Sequence, residues 1–130
     1  MAREIIIEEL PSVNVKDVQE QVTRFGNTFT KTLSFHDGVK WSVDRFLPGS
    51  HTFAHQHGFR QLRYVLEGEF EVNGKVYGPG TLIEFPAFKD YEVRSKSGGL
   101  WIVWQGTDPK TGLSPTSATG REYGEKTRTE

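Results

Sequence analysis

The sequence predicts an all-β domain, a sandwich or barrel of short strands, and three observations predict it. Fourteen glycines and six prolines are spread through 130 residues, and 12% of the chain is aromatic. Turn signals arrive about every 6 to 12 residues from position 37 onward. Many short strands joined by tight turns fit that composition better than a helical bundle does.

Each element follows from its local pattern. Ile5, Ile6 and Ile7, ahead of Leu10 and the helix-stopping Pro11, read as an edge strand. Three isoleucines on a free edge invite pairing, so this strand is expected to pair across a homodimer. Val15, Val18, Val22 and Phe25 recur at helical intervals between Asn14 and Gly26, with Asn14 and Asp17 as caps, which predicts one short helix. Phe29, Leu33 and Phe35, then Val39, Trp41 and Val43, alternate on either side of Asp37-Gly38, a hairpin turn. Pro48-Gly49 leads into an extended segment from Ser50 to His57. A strand from Gln61 to Leu66, a second hairpin at Asn73-Gly74, and strands over Thr81 to Phe85, Tyr91 to Arg94 and Leu100 to Trp104 complete the barrel. The expected organisation is an N-terminal extension over 1–28, a barrel over 29–106, and a polar, loosely ordered tail over 107–130. Trp41, Phe53, Phe85, Phe88, Trp101 and Trp104 are expected mostly in the core.

Composition removes several function classes. The 16 basic and 17 acidic residues are interspersed, so no basic stripe for nucleic acid is expected. With no cysteine there is no disulfide, thiolate metal site or cysteine nucleophile. No window approaches the ~20 apolar residues of a membrane span, and the acidic start does not resemble a signal peptide. A soluble cytoplasmic protein is expected.

The chemistry-bearing pattern is the histidine cluster His51, His55 and His57; His36, beside a turn, is expected to face solvent. In a regular strand positions 51, 53, 55 and 57 share a face, and His55 and His57 lie roughly 6.6 Å apart, close enough to converge on one ion. His51 is then roughly 13 Å from His55 and needs a bulge to join them. By the same alternation Gln61, Arg63 and Val65 share a face, leaving Leu62, Tyr64 and Leu66 to pack outward against the other sheet or a partner. An inward Arg63 suits an anionic or enol-bearing substrate, and a surface ion pair for Arg63 or Arg60 is the alternative.

Gly49, His55, His57, Gln61 and Gly68, separated by five, one, three and six residues, resemble the first signature of the cupin superfamily, with Gln61 where glutamate is usual. Gly80 and Pro86, five residues apart, match the start of its second signature, where Phe88 replaces a glycine, Tyr91 the fourth ligand histidine, and Ser95 an asparagine. The resemblance spans roughly residues 39–105. It implies a double-stranded β-helix, a jelly-roll cupin barrel. It also implies a divalent ion (Fe, Mn, Ni or Zn) on His55 and His57 with Gln61 as a weak third ligand. Tyr91 and Arg63 are the implied catalytic groups, and Asp90 or Glu92 replaces Tyr91 if the strand register slips by one. The expected activity is metal-dependent chemistry on a small organic molecule, of dioxygenase, cyclase, isomerase or lyase type. The alternatives are a small-ligand-binding sensor or carrier that has lost part of its metal site and, behind both, a structural oligomer.

Overall fold

The computed structural model describes residues 4–115 and the backbone of 126–127. Two antiparallel sheets face each other. One has six strands in the order β1 (Gln21–Val22), β2 (Thr28–His36), β3 (Val39–Phe46), β10 (Gly99–Gly106), β5 (Arg60–Gly68) and β8 (Leu82–Phe85). The other has five, β11 (Lys126–Thr127), β4 (Ser50–Gln56), β9 (Tyr91–Ser95), β6 (Phe70–Val72) and β7 (Lys75–Tyr77). This is the expected jelly roll.

Both hairpins form where the sequence places them. Asp37 and Gly38 have φ of 52° and 74°, and Asn73 and Gly74 have 48° and 85°, the paired positive values that a two-residue turn needs. Gly68 has φ +73°, and a Cβ there would stand 2.1 Å from the Gly98 carbonyl oxygen, so only glycine lets β5 and β10 close at this corner.

The barrel interior is graded along its length. Phe46, Val65, Phe70, Val93 and Trp101 fill one end, with Trp101 stacked on Phe70 at 3.8 Å. Successive cross-strand rows on the inner face of the larger sheet run Asp44–Trp101–Val65, then Ser42–Val103–Arg63–Ile83, then Lys40–Gln105–Gln61–Phe85. Polarity therefore rises row by row toward the end where His55 and His57 project from the opposite sheet.

Four expectations are corrected. Residues 4–12 form no strand, and Ile5, Ile6 and Ile7 are 83%, 76% and 92% exposed. The expected helix is a single 3-10 turn, Val15–Asp17, although Asn14 does cap it by accepting from the Lys16 amide. Its β-branched valines and short length leave too little helix propagation to offset nucleation, and Gln21–Val22 pairs with β2 instead. Trp41 and Phe53 are each 44% exposed, because β3 and β4 turn their opposite faces inward, and Phe88, 52% exposed, lies in the loop between β8 and β9; Phe85 and Trp101 are core, and Trp104 is half-buried. The start of the tail is not loose. Asp108 is buried and accepts from the Lys110 and Thr111 amides, Thr111 Oγ1 donates to the Gly58 carbonyl at 2.6 Å, and Leu113 packs against Gly58. Residues 116–125 and 128–130 lie outside the described residues. No described helix is long and apolar enough to cross a membrane.

Candidate functional site

A β-bulge in β4 builds the histidine pair. Thr52 pairs with Val93 and His55 with Tyr91, so three residues on β4 span two on β9. Thr52, His55 and His57 consequently face inward at 4%, 4% and 5% exposure, while Phe53 points out. The expectation that positions 51, 53, 55 and 57 share a face assumed a regular strand and is corrected by this bulge. His51 lies on the outer face, where its Nε2 is 3.3 Å from Glu92 Oε2. His36 is exposed, as expected.

The irregularity also fixes one imidazole. His55 Nδ1 lies 2.6 Å from the Phe53 carbonyl oxygen and, as its N–H, donates to it, which leaves Nε2 as the lone-pair nitrogen. The His55 and His57 rings are 5.0 Å apart and nearly perpendicular, and the Tyr91 ring is 4.5 Å and 5.7 Å from them. Burial pushes His55 down to about 4 from an ordinary 6.5, against the opposing hydrogen bond to Phe53, and the charges of Arg63 and Arg24 add to the depression. Burial likewise holds His57 well below its ordinary value, helped by His55, Arg63, Arg24 and Lys40. Both imidazoles are neutral at pH 7.

Arg63 joins the two sheets. Its Nε and Nη2 donate to Gln61 Oε1 at 3.0 and 2.6 Å, and Nη2 also donates to the Tyr91 hydroxyl at 3.0 Å. The guanidinium lies over the rings of Phe85, Tyr91 and Trp101, at 4.7, 5.4 and 4.7 Å. The structure thus brings together all five residues expected at the site: His55, His57, Gln61, Arg63 and Tyr91. Asp90 and Glu92 are not among them. Asp90 Oδ1 accepts from Gln56 Nε2 at 2.6 Å and Glu92 meets His51, so the register that turns Tyr91 inward is the observed one.

The donor set does not fit a metal centre of three protein ligands in this arrangement. Two imidazoles are suitable, but the Gln61 carbonyl oxygen already accepts both Arg63 N–H groups, and the guanidinium adds a positive charge beside the histidines. Among the described residues no group of three His, Asp or Glu side chains is placed to hold an ion.

Lys40 and Gln105 belong to the same interior and were not singled out from the sequence. Lys40 and Gln105 are 2% and 5% exposed and stand opposite each other across β3 and β10. Their signal was present in the alternation of Lys40, Ser42 and Asp44, but it becomes readable only when the inward face of β3 is known.

No family model matches the sequence, and no curated protein matches it. Solved structures do. An RmlC-like cupin from Shewanella frigidimarina superposes with a TM-score of 0.67 at 25% identity, covering 74% of this chain and 89% of that one. The polyketide cyclase RemF from Streptomyces resistomycificus gives 0.69 at 20% identity over 74% and 78% of the two chains. KdgF from a Halomonas species gives 0.67 at 20% identity over 74% and 92%.

The depressed histidines predict a pH-dependent stability. Their protonated forms are favoured in the unfolded chain, so stability is full above about 6.5 and declines as pH falls toward 4. Urea unfolding of metal-stripped protein at pH 7.5 and 5.5 should show a loss of roughly 1 kcal/mol per histidine, and His55→Phe should remove its share. Equal stability of the wild type at the two pH values would contradict the buried, neutral assignment.

Proposed function

We propose that this chain, a cupin by its fold, receives a small organic anion, a carboxylate or enolate, in its barrel, with Arg63 as the receiving cation. One observation carries the reading. Arg63 is 7% exposed, yet its contacts among the described residues are neutral: a carboxamide oxygen, a phenol and three aromatic rings. No carboxylate pairs with it among the described residues. A buried cation costs several kcal/mol in desolvation, and a bound anion supplies the compensating charge. The rings of Phe85, Tyr91 and Trp101 add apolar contact for an aromatic or unsaturated skeleton.

The same groups support proton chemistry. In cyclisation, isomerisation or lysis next to a carbonyl, charge develops on an oxygen, and the Arg63 N–H groups and the Tyr91 hydroxyl are donors suited to it. His55 Nε2 is the free base nitrogen of its ring. A bound anion offsets the Arg63 contribution to the depressed histidines, while burial, the larger cause, still favours their neutral, proton-accepting form. Binding without turnover, as a sensor or carrier, draws on the same anion receptor.

A second reading has its own supporting observation, the fixed tautomer of His55, which presents Nε2 as metal-ligating histidines do. Here a divalent ion (Fe, Mn, Ni or Zn) is held by His55 and His57, with Gln61 turned away from Arg63 as third ligand. Dioxygenase-type chemistry belongs to this reading.

A homodimer is part of the proposal. The outer face of the six-stranded sheet carries Trp41, Tyr64, Leu66 and Leu82, exposed by 44%, 42%, 39% and 55%, in place of the polar residues usual on a solvated face. The exposed arm combines Ile5, Ile6, Ile7 and Leu10 with Glu4, Glu8 and Glu9, opposite in charge to Arg60 and Lys31 on that sheet. A second copy offering its arm and its sheet is the occupant that fits.

Two outcomes follow. In calorimetric titration with phenylacetate, with chelator present, wild type binds, and Arg63→Gln binds at least ~10-fold more weakly while its melting curve remains cooperative. Binding that survives Arg63→Gln but is lost with chelator, together with stoichiometric metal in the purified protein that His55→Ala removes, would favour the second reading. In light scattering the wild type is a dimer and Tyr64→Glu a monomer; a monomeric wild type would contradict the pairing.

A further inference from the structure

Gln61 on β5 and Gln105 on β10 stand directly opposite each other on the inner face of the barrel, 1% and 5% exposed. The orientation of the Gln61 carboxamide is not free: its oxygen accepts both N–H groups of Arg63. Reversing it would aim two donors at a guanidinium that has nothing but donors. Its Nε2 is left without an acceptor among the described residues, and Gln105 Oε1 is left without a donor. Two neighbouring carboxamides could satisfy each other, and these do not. Farther along the same face of β10 the Trp101 indole N–H is also buried without an acceptor. Buried polar atoms are nearly always paired, so one unmet donor and one unmet acceptor on facing residues call for a third group.

We infer that Gln61 Nε2 and Gln105 Oε1 form a hydroxyl-reading subsite next to the Arg63 anion receptor, so that the ligand is a hydroxy acid or the enol of an oxo acid. The inference deepens the reading of Arg63 given above and rests on it. The chemistry selects the group. A hydroxyl accepts from Gln61 and donates to Gln105 with one oxygen. A second carboxylate or a ketone brings no proton for Gln105, and an ammonium has no lone pair for Gln61. Water has the same capacity, so a ligand hydroxyl replaces a water without losing a bond, whereas a ligand with hydrogen at that position either keeps an immobilised water there or, where its bulk displaces the water, leaves both carboxamides unmet. Arg63 grips the Gln61 oxygen, which puts the subsite one carboxamide away from the anion. That spacing suits a hydroxyl on the carbon next to the carboxylate, or one carbon farther.

Mandelate and phenylacetate differ only by such a hydroxyl and carry a ring suited to Phe85 and Trp101. Titration calorimetry of the full-length wild type should give mandelate at least ~10-fold tighter than phenylacetate. Gln105→Leu keeps the volume and removes the polar atoms. It should abolish the preference and hold phenylacetate affinity within about 2-fold. Equal affinity of wild type for the two acids, with phenylacetate binding still dependent on Arg63, would overturn the subsite and leave the anion receptor standing. Retained preference in Gln105→Leu would also overturn it. Failure of both acids to bind wild type would remove the receptor and the subsite together. The wild-type ratio decides even if the variant does not fold.

Discussion

A buried guanidinium with no carboxylate partner among the described residues organises this barrel. Arg63 holds the Gln61 carboxamide in one orientation, reaches across to the Tyr91 hydroxyl on the other sheet, and lies against three aromatic rings that exclude water from it. Its charge also helps keep His55 and His57 neutral, second to their burial. Each of these features is a consequence of placing a fixed cation in a low-dielectric interior. A bound organic anion is the component we propose for this interior.

The histidine side of the interior depends on one extra residue. Without the bulge in β4, Thr52 and His55 would face opposite ways, and the strand could not deliver both the upper packing residues and the histidine pair to the interior. The bulge also leaves the Phe53 carbonyl near the His55 ring, so the same irregularity sets the position and the tautomer of the imidazole. Strand β11, from the tail, pairs with β4 at Gln56 and His55, so this edge of the smaller sheet is covered beside the site.

Much of the fold was legible because it rests on local chemistry. Glycines at 49, 68 and 80 and the Asp37-Gly38 and Asn73-Gly74 dipeptides demand positive φ, and the structure has it at each of them. Alternation carried Gln61, Arg63 and Val65 inward together because β5 is regular where those residues lie, and Tyr91 faces inward as its place in the second signature implied. Alternation failed at His51, where a bulge that no composition announces shifts the phase. It also failed at Trp41, whose bulk suggested core although β3 presents Lys40, Ser42 and Asp44 inward. Valines at helical spacing misled because periodicity says nothing about whether a 13-residue segment can propagate a helix. Metal ligation by Gln61 is what the cupin resemblance implies, and a resemblance in spacing could not reveal that Arg63, two residues away on the same face, takes the same oxygen.

The central claim is that the barrel receives an organic anion on Arg63. A crystal structure of the chelator-treated protein grown with mandelate tests it most directly. The account predicts the carboxylate inside the barrel, within hydrogen-bond distance of the Arg63 guanidinium, with Gln61 in its present orientation. An interior without the acid, and Gln61 swung off Arg63 toward an ion on His55 and His57 in untreated crystals, would contradict it.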